Sequence, residues 1–387
     1  WRGPAEMRLA FLLYKYFPYG GLQRDCARLV AELQRRGHDC RIYCASWQGE
    51  RLPGVDLQLA PAATGSNVRR NERFLKWVQA ELAAHPVDGV VGFNKMPGLD
   101  IYYAADTCFL DKALRERSLL YRLGWRFRHF AAWERAVFDP AAATQILLIS
   151  ASEQRKFEQH YHTPPARMHL LPPGVAADRR RPPDAVSRRA GARHRLGLTY
   201  DVYTLLFVGP GFITKGLDRA IRALGKLRVA RPELRLQLLV VGQAPVGRFG
   251  LLARREQVQD RVSFLGGRDD IPDLLLAADV LVHPARNEAA GIVLLEALVA
   301  GLPVVATAAC GYAHHIEAAG AGLILAEPFR QEALDAALAQ MLDSGFRDRC
   351  REGGLAYAAS ADLYSLHSAG ADLIEQLLWR KRGRGDG

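Results

Sequence analysis

The sequence predicts an α/β protein of two doubly wound parallel-sheet domains, and three observations carry that expectation. Its 387 residues exceed what one hydrophobic core usually supports, and 49% apolar residues supply material for two. Apolar, β-rich runs alternate with stretches of helical periodicity, the pattern of successive βαβ units. The alternation occurs twice, interrupted once by an arginine-rich, proline-containing stretch.

The first series opens with a strand at 9–14. Leu22, Cys26, Leu29, Val30 and Leu33 follow at helical spacing, and then a strand at 41–45. Strands at 90–93 and 145–149 continue the series until it stops at Pro172, Pro173 and Gly174. The second series has strands at 203–208, 236–241, 262–265, 280–283 and 304–306. The expected domains are therefore 7–174 and 201–354, joined by a linker at 175–200. Helices at 355–379 are expected to pack back toward the N-terminal domain. Ligands of such sheets bind beyond the carboxyl ends of the strands, so the cleft between the domains is the expected site. Residues 1–6 lack the apolar core of a signal peptide and read as extraneous to the fold.

Six cysteines lie scattered without CxxC pairs or short spacing, which points away from a disulfide framework or zinc site and toward a reducing, cytosolic compartment. The most membrane-like stretch, 291–309, contains Glu296 and is broken by Gly301 and Pro303, so it reads as helix, turn and buried strand. A net charge of +11 favours a polyanionic partner without choosing between nucleic acid, phospholipid, phosphorylated glycan and nucleotide. No Asp-x-Asp motif occurs. The pairs His160 with His162 and His314 with His315 lack a third metal ligand at suitable spacing.

Chemistry concentrates in three places. Tyr19-Gly20-Gly21-Leu22-Gln23-Arg24-Asp25 puts two glycines where a strand hands over to a helix, whose free N–H groups suit an anion, although glycine there also serves simply to turn. Phe207-Val208-Gly209-Pro210-Gly211-Phe212-Ile213-Thr214-Lys215-Gly216 has neither Walker nor dinucleotide spacing. Its Lys215 can still offer a point charge to a diphosphate, or equally be a solvated surface lysine. The third place, His283 through Ala297, ends a strand, carries Glu288 in a small-residue loop and Glu296 on an apolar helix. At ~1.5 Å per residue Glu296 lies roughly 7 Å along the helix from its start, so the two carboxylates address different parts of one elongated ligand. The N–H groups of Ala290, Gly291 and Ile292 face phosphate or sugar oxygens in that reading. Two glutamates eight apart also occur on wet helix faces, but the strand end, loop and apolar helix around this pair favour a site.

At these residues the chain resembles retaining glycosyltransferases of the GT-B fold, whose signature is Glu, seven residues, Glu. More narrowly it is similar to the bacterial lipopolysaccharide core glucosyltransferase I family over nearly everything after Met7. The most specific stretches are Leu13-Tyr14-Lys15-Tyr16-Phe17-Pro18 running into the glycine turn, Gly92-Phe93-Asn94-Lys95-Met96-Pro97-Gly98-Leu99-Asp100, and Cys310-Gly311-Tyr312-Ala313-His314. The resemblance implies two facing Rossmann-like domains with the active site in the cleft between them. It also implies retaining, metal-independent transfer of glucose from UDP-glucose to inner-core heptose of lipopolysaccharide, at the cytoplasmic face of the bacterial inner membrane. No cofactor is expected. By the same resemblance Gly20 and Gly21 face the diphosphate, Gly211 and Lys215 bind it, and Arg268 lies beside the uracil. Glu288 contacts glucose and Glu296 the ribose. Asp25 and Asp106 fall on the acceptor side, Asp106 orienting or deprotonating the heptose hydroxyl or else capping a loop. Thr214 departs from the family pattern, which commonly has a basic residue before the lysine, and so removes a bidentate phosphate contact.

The segment 112–137 places apolar residues at near-helical intervals among arginines. Arg122, Arg126, Phe127, Arg128, Phe130 and Trp133 then form a basic aromatic face suited to anionic membrane lipids, while the apolar residues alone fit a core-packing helix equally well. The arginines of 175–200, Arg179, Arg180, Arg181, Arg188, Arg189, Arg193 and Arg195, read as solvated or as part of the basic surface. Partners expected are UDP-glucose, the heptosylated inner core and anionic lipids, not nucleic acid. Three competing readings remain: a nucleic-acid-binding protein, a non-catalytic UDP-sugar sensor or scaffold, and a transferase for another hexose or glycolipid.

Overall fold

The structure is a computed structural model that describes residues 6–18 and 20–385. Tyr19 of the first glycine turn and residues 1–5 of the segment read as extraneous lie outside the described residues. The chain divides into two compact units, residues 1–172 with 365–387, and residues 173–364.

Among the described residues the first unit holds seven strands: β1 (Arg8–Tyr16), β2 (Asp39–Trp47), β3 (Asp56–Leu59), β4 (Gly89–Gly92), β5 (Ile101–Ala104), β6 (Gln145–Leu148) and β7 (Met168–Leu170). They form one parallel sheet in the order β3-β2-β1-β4-β5-β6-β7. Parallel pairing requires crossovers, supplied by α1 (Gly21–Arg35), α2 (Asn67–Ala84), α3 (Phe109–Glu116), α4 (Leu119–Leu123), α5 (Trp125–Phe138) and α6 (Ala151–Tyr161). With both faces covered, the strands read as continuous apolar runs, and Leu9 through Leu13 are all buried. Strand order reverses at β1 and β4, which pair in register from Leu9 with Gly89, and this switch point positions the ends of both strands.

The second unit repeats the plan with β8 (Val202–Val208), β9 (Arg235–Val241), β10 (Val262–Gly266), β11 (Val280–His283), β12 (Val304–Thr307) and β13 (Gly322–Leu325). Their order, β10-β9-β8-β11-β12-β13, is again all parallel and reverses between β8 and β11. Its helices are α7 (Ala185–Arg195), α8 (Leu217–Ala230), α9 (Gly247–Arg255), α10 (Ile271–Ala277), α11 (Ile292–Ala300), α12 (Ala313–Ala318), α13 (Gln331–Gln340) and α14 (Ser344–Ser360). The last helix, α15 (Leu366–Gly385), returns to the first unit. There Arg36 of α1 pairs with Asp372 at 2.6 Å and Glu375 at 2.9 Å, and His38 meets Glu375 at 2.8 Å. The C-terminal helices thus separate, α14 belonging to the second unit and α15 to the first.

Residues 175–200 correct the expectation of a linker. They carry α7, which packs on α10 inside the second unit. Arg189 donates to the carbonyls of Leu276, Ala277 and Ala278, and buried Arg193 to those of Ala277, Thr199 and Val202. The end of a helix leaves carbonyls without intrahelical partners, and these guanidinium groups fill them. Arg188 and Arg195 pair with Asp273. Arg189 and Arg193, which look like solvated charge in the sequence, are structural caps.

Candidate functional site

In the second unit the loops leaving β8 and β11, residues 209–216 and 284–291, are neighbours because those strands pair at the sheet's reversal point. Gly216, at φ 79°, lets the first loop press on the second, since a Cβ there would strike the Pro284 carbonyl. Arg286 ties the two together: it makes two bonds to Asp218 at 2.7 and 2.8 Å, one to the Ile213 carbonyl at 2.8 Å, and its backbone N–H donates to the Thr214 carbonyl at 2.8 Å. Burial pushes the Asp218 carboxyl up, but Arg286 and Arg222 outweigh this and hold it below its ordinary range. The loops are therefore fixed by the protein's own charges before any ligand arrives.

At the head of this pair the Lys215 ammonium meets the Glu288 carboxylate directly. The fully buried ring of His283, at the end of β11, lies with Nε2 3.4 Å from Glu288 Oε2, and neither ring nitrogen has a hydrogen-bond partner among the described residues. Burial, reinforced by the Lys215 charge, pushes this imidazole down to about 3, so it is neutral. The backbone around Glu288 is pinned to the 310–314 stretch: Gly311 N–H donates to the Glu288 carbonyl at 3.1 Å and Tyr312 N–H to the Ala290 carbonyl at 2.7 Å. Gly291, at φ 85°, starts α11 without a side-chain cap, so the N–H groups about Ala290, Gly291 and Ile292 lie at an uncapped helix tip suited to an anion or sugar oxygens.

Glu296 sits farther along α11, buried, with Oε1 3.1 Å from Arg179 Nε. Arg179 is itself buried, which corrects its reading as a solvated arginine. Arg268 follows the edge strand β10 and forks onto Asp270 at 2.8 and 2.6 Å. Gly211 is exposed, and its carbonyl accepts the Lys215 N–H at 3.1 Å, so the glycine turn sets where the lysine starts.

In the first unit the strand ends frame a cavity of ≈ 600 Å³ lined by Tyr14, Lys15, Asn94, Lys95, Asp106 and Trp133 among others. Asn94 accepts the Tyr14 N–H at 2.8 Å and so joins the turn after β4 to the end of β1. Beneath the cavity lies an arrangement that sequence reasoning missed. Glu134 of α5 is fully buried, pairs with Lys95, and accepts the N–H groups of Phe109 and Leu110 at 2.7 and 2.9 Å and the Tyr161 hydroxyl at 2.7 Å. Burial pushes its carboxyl up, and Lys95 with those N–H groups more than reverses the rise. Lys95 also donates to the Thr107 carbonyl at 2.9 Å, so the pair fixes the loop that carries Asp106. Asp106 opens to the cavity with protein packed around it. Lost hydration raises its carboxyl, Lys95 opposes the rise and Glu134 adds to it.

Gly20 precedes α1 with no side-chain cap, and Gly21 has open space where a Cβ would lie. The Asp25 carboxylate does not line the cavity. Tyr103 donates to one of its oxygens at 2.9 Å and His367 lies 3.1 Å from the other, so it fastens α1 to β5 and α15.

The segment read as one basic amphipathic helix is three helices, α3, α4 and α5, broken at Ser118 and Gly124. This alters the face that meets solvent. Trp133 is buried in the core beside His129, Phe130 lines the cavity, and Phe127 packs on Phe109. The apolar groups that do project are Leu119, Leu120, Leu123 and Trp125, exposed by 74, 80, 67 and 60%. Arg126 and Arg128 are exposed, whereas Arg122 folds back onto the Leu114 carbonyl at 2.6 Å. Among the described residues no helix is long and apolar enough to cross a membrane.

Comparison with known proteins fits this arrangement. Residues 192–356 match the family model "Glycosyl transferases group 1" and residues 19–179 match "Glycosyltransferase Family 4". The lipopolysaccharide glucosyltransferase WaaG of Escherichia coli (strain K12) is 45% identical over 369 residues, covering 95% of this chain and 98% of its own. The chain belongs to the lipopolysaccharide glucosyltransferase family. It is a glycosyltransferase of the GT-B class, with the Glu, seven residues, Glu signature of that class at Glu288 and Glu296. A crystal structure of WaaG, a glycosyltransferase involved in lipopolysaccharide biosynthesis, agrees with TM-score 0.91 at 44% identity, covering 95% of this chain and 99% of that one. Sucrose-phosphate synthase from Thermosynechococcus elongatus has the same fold at TM-score 0.78 and 19% identity, covering 97% of this chain and all of that one. This chain thus shares its fold with a protein of quite different sequence.

Proposed function

We propose that this protein transfers glucose from UDP-glucose to a heptose of the lipopolysaccharide inner core, with retention of configuration and without a metal. The observation that carries the reading is the Lys215–Glu288 pair held between two clamped loops beside the uncapped start of α11. In the donor complex Lys215 turns to the diphosphate and Glu288 to the hexose hydroxyls, while Glu296 takes the ribose and Arg268 borders the uracil. As the bond from the anomeric carbon to phosphate oxygen breaks, negative charge grows on the diphosphate, where Lys215 and the helix tip stabilise it most. The heptose hydroxyl attacks from the face the diphosphate leaves, with Asp106 orienting it or taking its proton.

Leu119, Leu120, Leu123 and Trp125, flanked by Arg126 and Arg128, supply an apolar and cationic patch that suits the anionic cytoplasmic face of the inner membrane, where such an acceptor is met. The deciding experiment offers UDP-glucose, UDP-galactose and UDP-N-acetylglucosamine with lipopolysaccharide truncated at inner-core heptose, and determines the linkage of the product. Transfer of α-linked glucose is expected. Preference for another sugar, or a β linkage, overturns the proposal.

A further inference from the structure

The cavity of the first unit is more cationic than a neutral sugar requires. Its wall carries Lys15, Arg70, Lys95 and Lys112 against one carboxylate, Asp106. Lys95 is neutralised from behind by Glu134. Lys15 and Lys112 have no ion pair or side-chain hydrogen bond among the described residues, and Arg70 is held only by the neutral amide of Asn67. These cations come from β1, α2 and α3, so their convergence is not one solvated helix face.

Sugar hydroxyls are served by amides and a carboxylate, and sugar rings by aromatic faces. The wall already holds such groups, including Asn71, Asn94 and Trp133. Three unpaired cations in one concavity repel each other and concentrate positive potential, and a bound phosphate or carboxylate relieves both effects. A volume of ≈ 600 Å³ leaves room for such a group beside the sugar. We propose that this cavity binds an acidic saccharide, with Arg70 and Lys112 gripping a phosphate or carboxylate group on or next to the sugar that receives glucose. The proposal rests on the acceptor reading above and names the substrate class at that site.

The test uses the full chain saturated with UDP, so that binding is read without transfer. Two soluble, lipid-free core oligosaccharides ending in heptose are titrated calorimetrically, one with its acidic groups and one dephosphorylated and carboxyl-reduced. The acidic form should bind about tenfold more tightly or better, and R70Q/K112Q should reduce that advantage to roughly threefold or less with UDP affinity unchanged. Equal binding of the two forms, or an advantage that persists in the variant, overturns the proposal. Should the double variant not fold, salt decides: a preference built on charge shrinks as ionic strength rises, and one that does not shrink also overturns it. A preference seen only with sugar-free anionic vesicles would assign these cations to lipid headgroups instead, again against the proposal. Failure of the wild type to glucosylate either oligosaccharide sinks the functional reading alone, because the charge preference is measured by binding.

Discussion

The candidate sites of the two units are built on the same sheet plan but by different means. In the second unit, Lys215, His283, Glu288 and Glu296 come from two adjacent strand–loop–helix passages, clamped by Arg286 on Asp218. In the first unit the cavity wall is gathered from β1, α1, β2, α2, the loops after β4 and β5, α3 and α5, and it is steadied by the remote Lys95–Glu134 pair. A ligand common to a whole enzyme class can be held by a short local motif, whereas a particular acceptor calls for a surface collected from distant parts of the chain. That contrast yields predictions that differ in kind on the two sides.

The largest effect is expected on the local side. Glu288→Ala removes the hexose contact and leaves Lys215 without its carboxylate, so kcat with UDP-glucose should fall about a hundredfold or more. Near-normal turnover in that variant would refute the assignment. On the gathered side, Asp106→Asn should lower kcat by about a hundredfold, at the low end of general acid–base contributions, with KM for UDP-glucose unchanged. The Asp106 carboxyl is raised above its ordinary range, so wild-type activity should be lost as pH falls through that raised value and level off above it. The variant should lack this acid limb, and a limb that survives would show that another group titrates.

A third, tenfold effect or larger is expected outside both candidate sites. Replacing Leu119, Leu120 and Leu123 by Asp should release the protein from anionic vesicles while UDP-glucose binding is kept. Unchanged vesicle binding would remove the docking role from α4. Arg286→Ala tests the clamp, leaving Asp218 in a largely buried place, and should cost about 1–3 kcal/mol of stability together with a several-fold higher KM for UDP-glucose. Full stability in urea titration would mean that the loops hold without it.

The last effect, read as a slope against pH, concerns His283, whose imidazole is pushed down to about 3 in the folded chain. The unfolded chain, with an imidazole near its ordinary value, binds more protons between about pH 6.5 and 3. Stability is therefore full above that window and falls as pH drops through it, by up to about 1.4 kcal/mol per pH unit from this group. His283→Gln should flatten that slope, measured as urea midpoint against pH, and an unaltered slope would show that His283 is not its source.

The same contrast explains what could be read from the sequence. The strand–helix alternation and the opening β1–α1–β2 unit were legible because every core position lies within one period of the next, as Leu22, Cys26, Leu29 and Leu33 do. The placement of Lys215 and Glu288 just beyond β8 and β11, and of Glu296 on α11, was legible because each follows an apolar strand run, while their roles came from the family resemblance. Lys95 and Glu134 lie 39 residues apart, and no local pattern joins them. The arginines of α7 looked solvated because composition cannot show that the carbonyl end of α10 awaits them. Trp133 looked surface-bound for a related reason: periodicity predicts a stripe but not which side faces the core, and the breaks at Ser118 and Gly124 turn α4 and α5 separately.

The return of α15 to the first unit has a consequence for how the chain matures. Leu378 packs on Gly89, Gly370 on Leu29, and Glu375 on His38, so part of the shell of the unit begun by β1 is made only when residues 366–385 have been synthesised. On a ribosome the flank of α1 that α15 covers waits, uncovered, through the whole of translation of the second unit. A fragment ending at residue 172 should therefore be sticky and poorly folded, and supplying the terminal helix as a separate peptide should rescue it.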